Sequence, residues 1–380
     1  MMFRITLFIG GVIGLFGACG GTSGPATPEA GQTPDTTAAV SPFVPQAIED
    51  VINSMVAAIA TENLSVAAKP PIAVLPKDLT GFFEPVVIGA NRMSTMLGCP
   101  SAVEAPLNTD PNTTTEEAGV VQNEFLKRYV TEAVYRGLAI APYTADPDSV
   151  GYLNQFVEQR GPVVTIDSDS PTSKRSYLIA TANYQAGYTA ATKLAKSLQP
   201  GDQIVVFGTT DVNWPSGIER AQGAEDGAIA AGLQIAPRVS PTWSNEKDLV
   251  ALTATLSDPT LTLKGMLCIY ANAFLCAKAA EQVLGGPGLI TIVGFDMTAD
   301  LKPYFEKSYF LGVAVQRQYY MGELGVLVPY AINVLGAART NQFLQPLLIN
   351  GTFIDTGIDI ITPANYGEYM TFLSLLGINQ

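Results

Sequence analysis

The feature that most constrains this chain is a regular alternation of short apolar runs with amphipathic stretches of helical period. Such alternation is typical of parallel sheets whose strands are joined by crossover helices. A first series of predicted strands is followed by a second series with the same strand–helix order; the predicted strands cover 72–76, 101–107, 137–142, 163–166, 203–207, 235–239, 265–270, 289–295 and 310–315. We therefore predict an α/β protein with two similar lobes and a chain that crosses between them more than once.

The amino terminus carries the marks of an exported protein. Residues 1–19 combine one positive charge with a short apolar core and small residues, which is typical of a signal peptide. Cys19 follows Gly17-Ala18 as in the lipobox of bacterial lipoproteins, although Phe16 stands where that pattern prefers leucine. Lipidation of Cys19 is the prediction, and ordinary cleavage with a soluble product is the alternative. Residues 20–68 are predicted to form a disordered tether with one short amphipathic helix at 47–60 that precedes the main body.

Composition excludes several classes of function. The formal charge of −13 argues against a nucleic-acid partner, because phosphate binding needs clustered basic residues. The chain has no histidine, no C-x-x-C pair and no G-x-x-x-x-G-K loop, so we predict a protein without catalytic activity, bound metal or cofactor. Cys268 and Cys276 could pair only if their Cα atoms came within about 7 Å, and buried, unpaired thiols are expected.

Polar side chains follow two neighbouring predicted strands. Asp167 directly follows the strand at 163–166, and Asn183 lies after a second apolar strand around 177–180 and just before a predicted helix. The crevice outside the carboxyl ends of parallel strands is the usual ligand site of such sheets, so these two residues are the first candidates. The alternative is a surface turn and a helix N-cap without any ligand.

A series of motifs, in order and at the expected spacing, resembles the type I periplasmic binding proteins of the ribose- and galactose-binding group, which are ligand receptors of bacterial ABC importers. The motifs are Thr80-Gly81-Phe82-Phe83, Val163 to Asp167, Ala180 to Asn183 with Gly187, Glu219-Arg220 with Gly223, Asn272, Val293 to Asp296, and Gln316. The resemblance runs from 72 to 362. It implies two Rossmann-like lobes with parallel sheets joined by a multi-strand hinge, with 69–182 and 317–345 in the N-terminal lobe and 183–316 and 346–380 in the C-terminal lobe.

The same resemblance implies a set of ligand residues. Aromatic rings that would stack on a sugar ring match Phe82, Phe83 and Trp243, and polar ligand or hinge positions match Asp167, Asn183, Asn272, Asp296 and Gln316. Core packing is the alternative for the rings, and capping or turn roles are the alternative for the polar residues. Arg175 and Arg220 are expected to be structural ion-pair partners.

At three positions this chain has an uncharged residue where the family pattern has a charged one. Ser168 and Ile218 stand where pentose receptors carry arginine, and Ala182 stands where an acidic residue is usual. Without these guanidinium groups a plain aldopentose is not expected. Neighbouring loop residues are expected to fill the gap and to make the pocket more aromatic and less charged; they are Tyr143, Asn213 and Trp214. A modified sugar, a nucleoside or a less polar small molecule remain open as ligands.

The function that follows is capture of a small sugar-like molecule in the interlobe cleft and its delivery to an ABC permease. The resemblance and the signal imply a periplasmic monomer with a lipid anchor in a membrane. A ligand sensor for a membrane receptor, or a carrier of a less polar molecule that is not a sugar, are the alternatives.

Overall fold

The computed structural model describes residues 41–106, 115–211, 214–242 and 244–378, and of Thr115 the backbone alone. The predicted signal peptide, Cys19, Asn213 and Trp243 lie outside the described residues, so the predictions made for them stay predictions. None of the helices within the described ranges combines the length and the apolar character that a bilayer crossing requires.

The strands in chain order are β1 (Ile72–Leu75), β2 (Ser101–Val103), β3 (Gly137–Ile140), β4 (Val163–Ile166), β5 (Tyr177–Ala180), β6 (Gln203–Phe207), β7 (Gln234–Ile235), β8 (Leu263–Cys268), β9 (Thr291–Phe295), β10 (Phe310–Gln316), β11 (Leu348–Ile349), β12 (Phe353–Asp355) and β13 (Ile358–Ile361). Their side chains are mostly buried on both faces, as expected for strands covered by helices on each side.

The helices are α1 (Gln46–Ala60), α2 (Glu84–Leu97), α3 (Thr115–Glu132), α4 (Pro147–Gln159), α5 (Asn183–Ala195), α6 (Pro215–Ala230), α7 (Asn245–Ser257), α8 (Phe274–Leu284), α9 (Lys302–Glu306), α10 (Gln318–Leu335), α11 (Ala337–Leu344) and α12 (Tyr366–Leu375). Short 3₁₀ turns cover Val66–Ala68, Gly81–Phe83 and Gln345–Leu347.

Two sheets form the two lobes, as the alternating pattern predicted. The first has the order β11-β12-β5-β4-β3-β1-β2, and the second has the order β13-β10-β9-β8-β6-β7. Neighbouring strands are parallel except for β11 with β12 and β10 with β13. The α/β class and the two Rossmann-like lobes are therefore confirmed.

The chain crosses between the two sheets three times. The three crossing segments form the hinge between the lobes. The crossings lie between β5 and α5, between β10 and α10, and between β12 and β13. We had placed residues 346–355 in the C-terminal lobe, and this is wrong, because β12 pairs with β5 in the first sheet. Residues 352–361 have alternating apolar side chains, and this pattern does not show that Gly357, at a φ of 73°, separates two strands that belong to different sheets.

Helix α1 is part of the first lobe rather than of a tether. Its apolar face is buried, and the carboxylate of Glu49 accepts a hydrogen bond from Tyr320 of α10 at 3.0 Å. Burial of such a face stabilises the docked helix by removing apolar surface from water. The prediction that residues up to 68 precede the body is therefore wrong for α1, since a helical pattern alone does not tell what its apolar face contacts.

The expectation of unpaired thiols at Cys268 and Cys276 is also wrong. The two residues form a disulfide across the turn between β8 and α8, with Cα atoms 6.6 Å apart. Cys99 is a buried free cysteine.

Candidate functional site

The site is organised by two aspartates that follow equivalent strands of the two sheets. Asp167 comes directly after β4 and Asp296 directly after β9, with φ values of 60° and 57°. Each backbone N–H donates to a carbonyl of the adjacent strand, to Ile179 at 3.0 Å and to Ala314 at 2.8 Å. These bonds continue the sheet ladders, and the left-handed conformation, which aspartate tolerates better than most residues, ends the strands there.

A cavity of about 440 Å³ lies at these strand ends, between the two sheets. Its walls include seven of the predicted ligand residues: Phe82, Tyr143, Asp167, Asn183, Trp214, Asp296 and Gln316. The remaining walls come from Lys77, Glu116, Asp211, Ser216, Arg220, Tyr270 and Ala271, which the sequence analysis did not place there. The volume lies within the range of about 300–1,000 Å³ that is usual for small-molecule sites.

Two predicted ligand residues do not line the cavity. Phe83 is buried in the core, with its ring 5.0 Å from that of Phe82 and at a steep angle to it. Asn272 turns toward Asp248, with its Nδ2 atom 3.4 Å from Oδ2, and its own Oδ1 is buried without a hydrogen-bond partner within the described ranges. Its neighbours Tyr270 and Ala271 line the cavity instead.

Arg220 has a different role from the one predicted. Its guanidinium donates two hydrogen bonds to Asn183 Oδ1, at 2.9 and 2.7 Å, and one to the carbonyl of Ile269 at 3.0 Å. It also lies 4.2 Å from the ring centroid of Phe295. The residue is 6% exposed, and burial lowers its pKa, while the charge of Asp296 opposes that effect. Arg220 therefore orients Asn183 and brings a positive charge to the cavity wall.

Arg175, by contrast, matches its prediction as a structural ion-pair partner. It binds Asp169 through two nitrogens, with Nη2 2.6 Å from Oδ2. This ion pair stabilises the turn between β4 and β5, which follows Asp167.

The carboxyl of Asp296 is almost fully buried. Burial raises its pKa to about 6, and the charge of Arg220 and a hydrogen bond from Gln316 Nε2, 3.1 Å from Oδ1, limit the rise. An ionised acceptor at this position is thus maintained near neutral pH by the two groups beside it.

Lys77 is the cation that sequence reasoning missed. Its Nζ donates to Ser168 Oγ at 2.6 Å and lies 3.9 Å from Asp167 Oδ2. Ser168 in turn donates to Asp167 at 2.9 Å, so this serine links a lysine to the aspartate. Burial lowers the pKa of Lys77, and Asp167 opposes that effect. The only signal for it was its place two residues after β1, at the same sheet edge.

Aromatic side chains cover other parts of the wall. The ring of Trp214 lies 4.6 Å from that of Tyr270, and the Tyr270 hydroxyl accepts from the Thr209 N–H at 2.8 Å. Tyr143 donates to the Lys77 carbonyl at 2.8 Å, and burial raises the pKa of its phenol. Aromatic rings therefore lie at these wall positions, and Lys77 and Arg220 add charge that the sequence analysis did not expect.

Within the ranges that the structure describes, no group of three or more cysteine, aspartate or glutamate side chains is arranged to hold a metal ion.

Comparison with known proteins decides the family. The sequence profile of the periplasmic binding protein domain matches residues 72–333. The chain belongs to this family. The periplasmic binding proteins are binding proteins that work outside the cytoplasm, and the match includes every strand from β1 to β10.

Four individual relatives share between 22% and 29% of their aligned residues with this chain. A D-ribose/D-allose-binding protein of Pseudomonas aeruginosa is 29% identical over 124 residues, which cover 32% of this chain and 38% of that protein. The match thus spans little more than a third of that relative. Among solved structures, an ABC transporter solute-binding protein of Burkholderia graminis in complex with D-arabinose is 24% identical, with a TM-score of 0.62 over 80% of this chain and 98% of the other.

Two further solved structures agree in fold. The glucose-galactose-binding protein GanP of Geobacillus stearothermophilus has a TM-score of 0.64 at 22% identity, over 78% of this chain and 99% of its own. A solute-binding protein of Agrobacterium vitis with bound D-fucose has a TM-score of 0.60 at 25% identity, over 78% and 96%. These similarities confirm the bilobed fold of the periplasmic binding proteins.

Proposed function

We propose that this protein captures a sugar in the cavity between its lobes and delivers it to an ABC importer. The observation that carries the proposal is the pairing of acceptors and donors in one cavity. Asp167 and Asp296 bring carboxylates from the two lobes, and Lys77 and Arg220 bring N–H donors beside them. A sugar hydroxyl both donates and accepts, so it can bind such alternating groups at the same time.

The aromatic walls support the same ligand class. Phe82 and Trp214 present apolar ring surface in a cavity that also has charged and amide side chains in its walls. The C–H face of a pyranose or furanose ring is apolar, whereas its edge carries the hydroxyls, so one ligand can satisfy both kinds of wall. The charged side chains also favour a polyhydroxylated ligand over a less polar one, because an apolar ligand would remove water from them without supplying hydrogen bonds in its place.

The partner protein, the ligand class and the cellular location are inferred from similar proteins and from the amino-terminal sequence. Several similar proteins are named for sugars they bind or for ABC transport. We infer from them that the partner is an ABC permease and that the ligand is a free or substituted monosaccharide. A periplasmic location with a lipid anchor at Cys19 rests on the sequence pattern alone.

Titration calorimetry with free sugars tests the proposal. The panel consists of D-ribose, D-allose, D-arabinose, D-fucose, D-galactose and D-glucose. Binding with micromolar or tighter affinity is expected for at least one of them, with a decrease in the radius of gyration as the lobes close. Absence of binding by the whole panel, with the protein shown to be folded, would contradict the proposal.

A further inference from the structure

A second cavity adjoins the first. Its volume is about 300 Å³, and it shares the side chains of Phe82, Asp296 and Gln316 with the proposed sugar site. Its other walls are mainly aromatic and aliphatic; those that matter for the argument are Tyr319, Tyr320, Tyr369, Phe372, Leu373 and Leu376. We call this cavity the lateral compartment.

The lateral compartment is built in part by segments outside the residues that match the family. Helix α12, which supplies Tyr369, Phe372 and Leu373, begins more than thirty residues after the match ends at 333. The ring of Phe43, before the match begins, packs 5.3 Å from Tyr369 and 6.1 Å from Phe372. Helix α12 therefore forms part of the wall, and Phe43 packs behind two of its wall residues.

Several of the polar groups that line the lateral compartment are already paired. Arg92 donates to the Tyr319 hydroxyl at 2.7 Å, and the Tyr320 hydroxyl donates to Glu49 at 3.0 Å. Arg317 binds Asp359 through two nitrogens at 2.7 and 2.9 Å. A second sugar ring would need several free donors and acceptors, which these pairs do not offer, whereas an apolar ring needs none.

We propose that the natural ligand is a sugar with an aromatic aglycone, whose sugar ring lies between Asp167 and Asp296 and whose apolar ring lies in the lateral compartment. This inference rests on the proposed sugar-binding function. The shared wall of Phe82, Asp296 and Gln316 puts the two parts of such a ligand side by side. The volume suffices, since a protein cavity of about 150 Å³ already admits benzene.

The test compares matched glycosides by titration calorimetry on the full chain. The probes are methyl and phenyl β-glycosides of D-galactose, D-glucose, D-arabinose and D-ribose, measured beside the free sugars. For at least one sugar, the phenyl glycoside should bind about tenfold or more tightly than the methyl glycoside, because only the phenyl ring buries apolar surface. Equal affinities for both members of every pair would overturn the inference.

Two variants locate the phenyl ring. Leu376→Trp fills the lateral compartment, whereas Leu375→Trp adds the same bulk to a neighbouring side chain that is 61% exposed and does not line it. Leu376→Trp should abolish the advantage of the phenyl glycoside and keep the affinity for the methyl glycoside. Leu375→Trp should change neither. Leu376→Phe is a smaller replacement, used if thermal unfolding shows that the tryptophan variant is destabilised.

The outcomes separate this inference from the proposed function. If free sugars bind but no glycoside does, the sugar site stands and the aglycone inference fails. If the phenyl advantage persists in both Leu376→Trp and Leu376→Phe, the phenyl ring lies elsewhere and the inference also fails. If neither free sugars nor glycosides bind, the proposed function fails, and the inference fails with it.

Discussion

At the scale of single residues, the site depends on charges held in place by neutral neighbours. Lys77 is oriented by Ser168, and Arg220 is oriented by Asn183 and the carbonyl of Ile269. Each cation faces an aspartate without forming a tight bidentate ion pair with it. Such cations keep N–H groups available for a ligand, since their charge is compensated at a longer distance.

Lys77 should contribute directly to sugar affinity. Lys77→Met removes the N–H donors beside Asp167, and a hydrogen bond to a charged group is worth about 1.5–3 kcal/mol, so the affinity for the best sugar of the panel should fall about tenfold or more. Lys174→Met is the control, because its side chain is 58% exposed and pairs with Glu158 on the surface. Calorimetry on both variants is the measurement, and an unchanged affinity in Lys77→Met would place the sugar elsewhere.

Glu323 of α10 should make the stability of the first lobe depend on pH. Burial raises the pKa of this carboxyl from its ordinary value of 4.5 to about 7, although Arg92 opposes the shift. The folded state therefore holds the proton to higher pH than the unfolded state does. The resulting stability is complete below about pH 4 and is lost as the pH rises through about 7.

Glu323→Gln tests this dependence. Between pH 4 and 7.5 the wild-type free energy of unfolding should fall more than that of the variant, by on the order of 3 kcal/mol. Asp296, with its pKa raised to about 6, acts in the same direction and is unchanged by the substitution. Urea unfolding across this range is the measurement, with the exposed Glu158→Gln as control; parallel profiles for wild type and Glu323→Gln would refute the assignment.

At the scale of elements, closely packed helix pairs fix the positions of site residues. A Cβ atom on Gly187 of α5 would lie 2.0 Å from the Arg220 carbonyl oxygen, and one on Gly223 of α6 would lie 1.9 Å from that of Tyr184. The first lobe repeats this arrangement between α2 and α10, at Gly89 and Gly322. Backbone contact between α5 and α6 is what brings Arg220 within reach of Asn183.

Gly187→Ala should therefore weaken both the second lobe and the site. The added methyl group forces α5 away from α6, at a cost of about 1–3 kcal/mol in unfolding free energy, and it separates Asn183 from Arg220. Gly151→Ala in α4 is the matched control, because a Cβ there meets nothing within 4 Å. That substitution should be neutral or stabilise by up to about 1 kcal/mol. Similar effects of both substitutions on urea unfolding would contradict this account.

At the scale of the whole molecule, one ion pair joins two of the three crossings. Arg317 lies between β10 and α10, and it binds Asp359 of β13 as well as the Thr356 carbonyl at 3.3 Å. Both side chains are largely buried, with 21% and 13% exposed. The second and third crossings are thus tied together, so we expect them to bend as one unit when the lobes close.

Arg317→Gln should be much more harmful than removal of a surface ion pair. Loss of one partner of a buried pair costs about 3–5 kcal/mol, whereas exposed pairs contribute about 0–1 kcal/mol. Arg339→Gln is the control, since Arg339 and Glu62 are 46% and 37% exposed. Urea unfolding measures both variants, and a cost below 1 kcal/mol for Arg317→Gln would show that the hinge does not depend on this pair.

The family resemblance anticipated much of the site from the sequence. Asp167, Asn183, Asp296 and Gln316 follow or end strands, and the carboxyl ends of parallel strands meet at one edge, so their convergence could be predicted. Asn272 was misplaced because a turn residue can face either the cleft or a neighbouring helix, and here it turns toward Asp248 of α7. That choice depends on side-chain packing rather than on position along the chain.

The sequence by itself determined the α/β class, the two lobes and the strand ends that carry acidic and amide groups, because these follow from local periodicity and from order along the chain. Only the tertiary structure decided that Lys77 meets Asp167, that β12 returns to the first sheet, that Cys268 pairs with Cys276, and that α12 reaches Phe43. Such contacts join residues that are not related by any helix or strand period. They depend on the order of strands in the sheets and on which apolar faces are buried together.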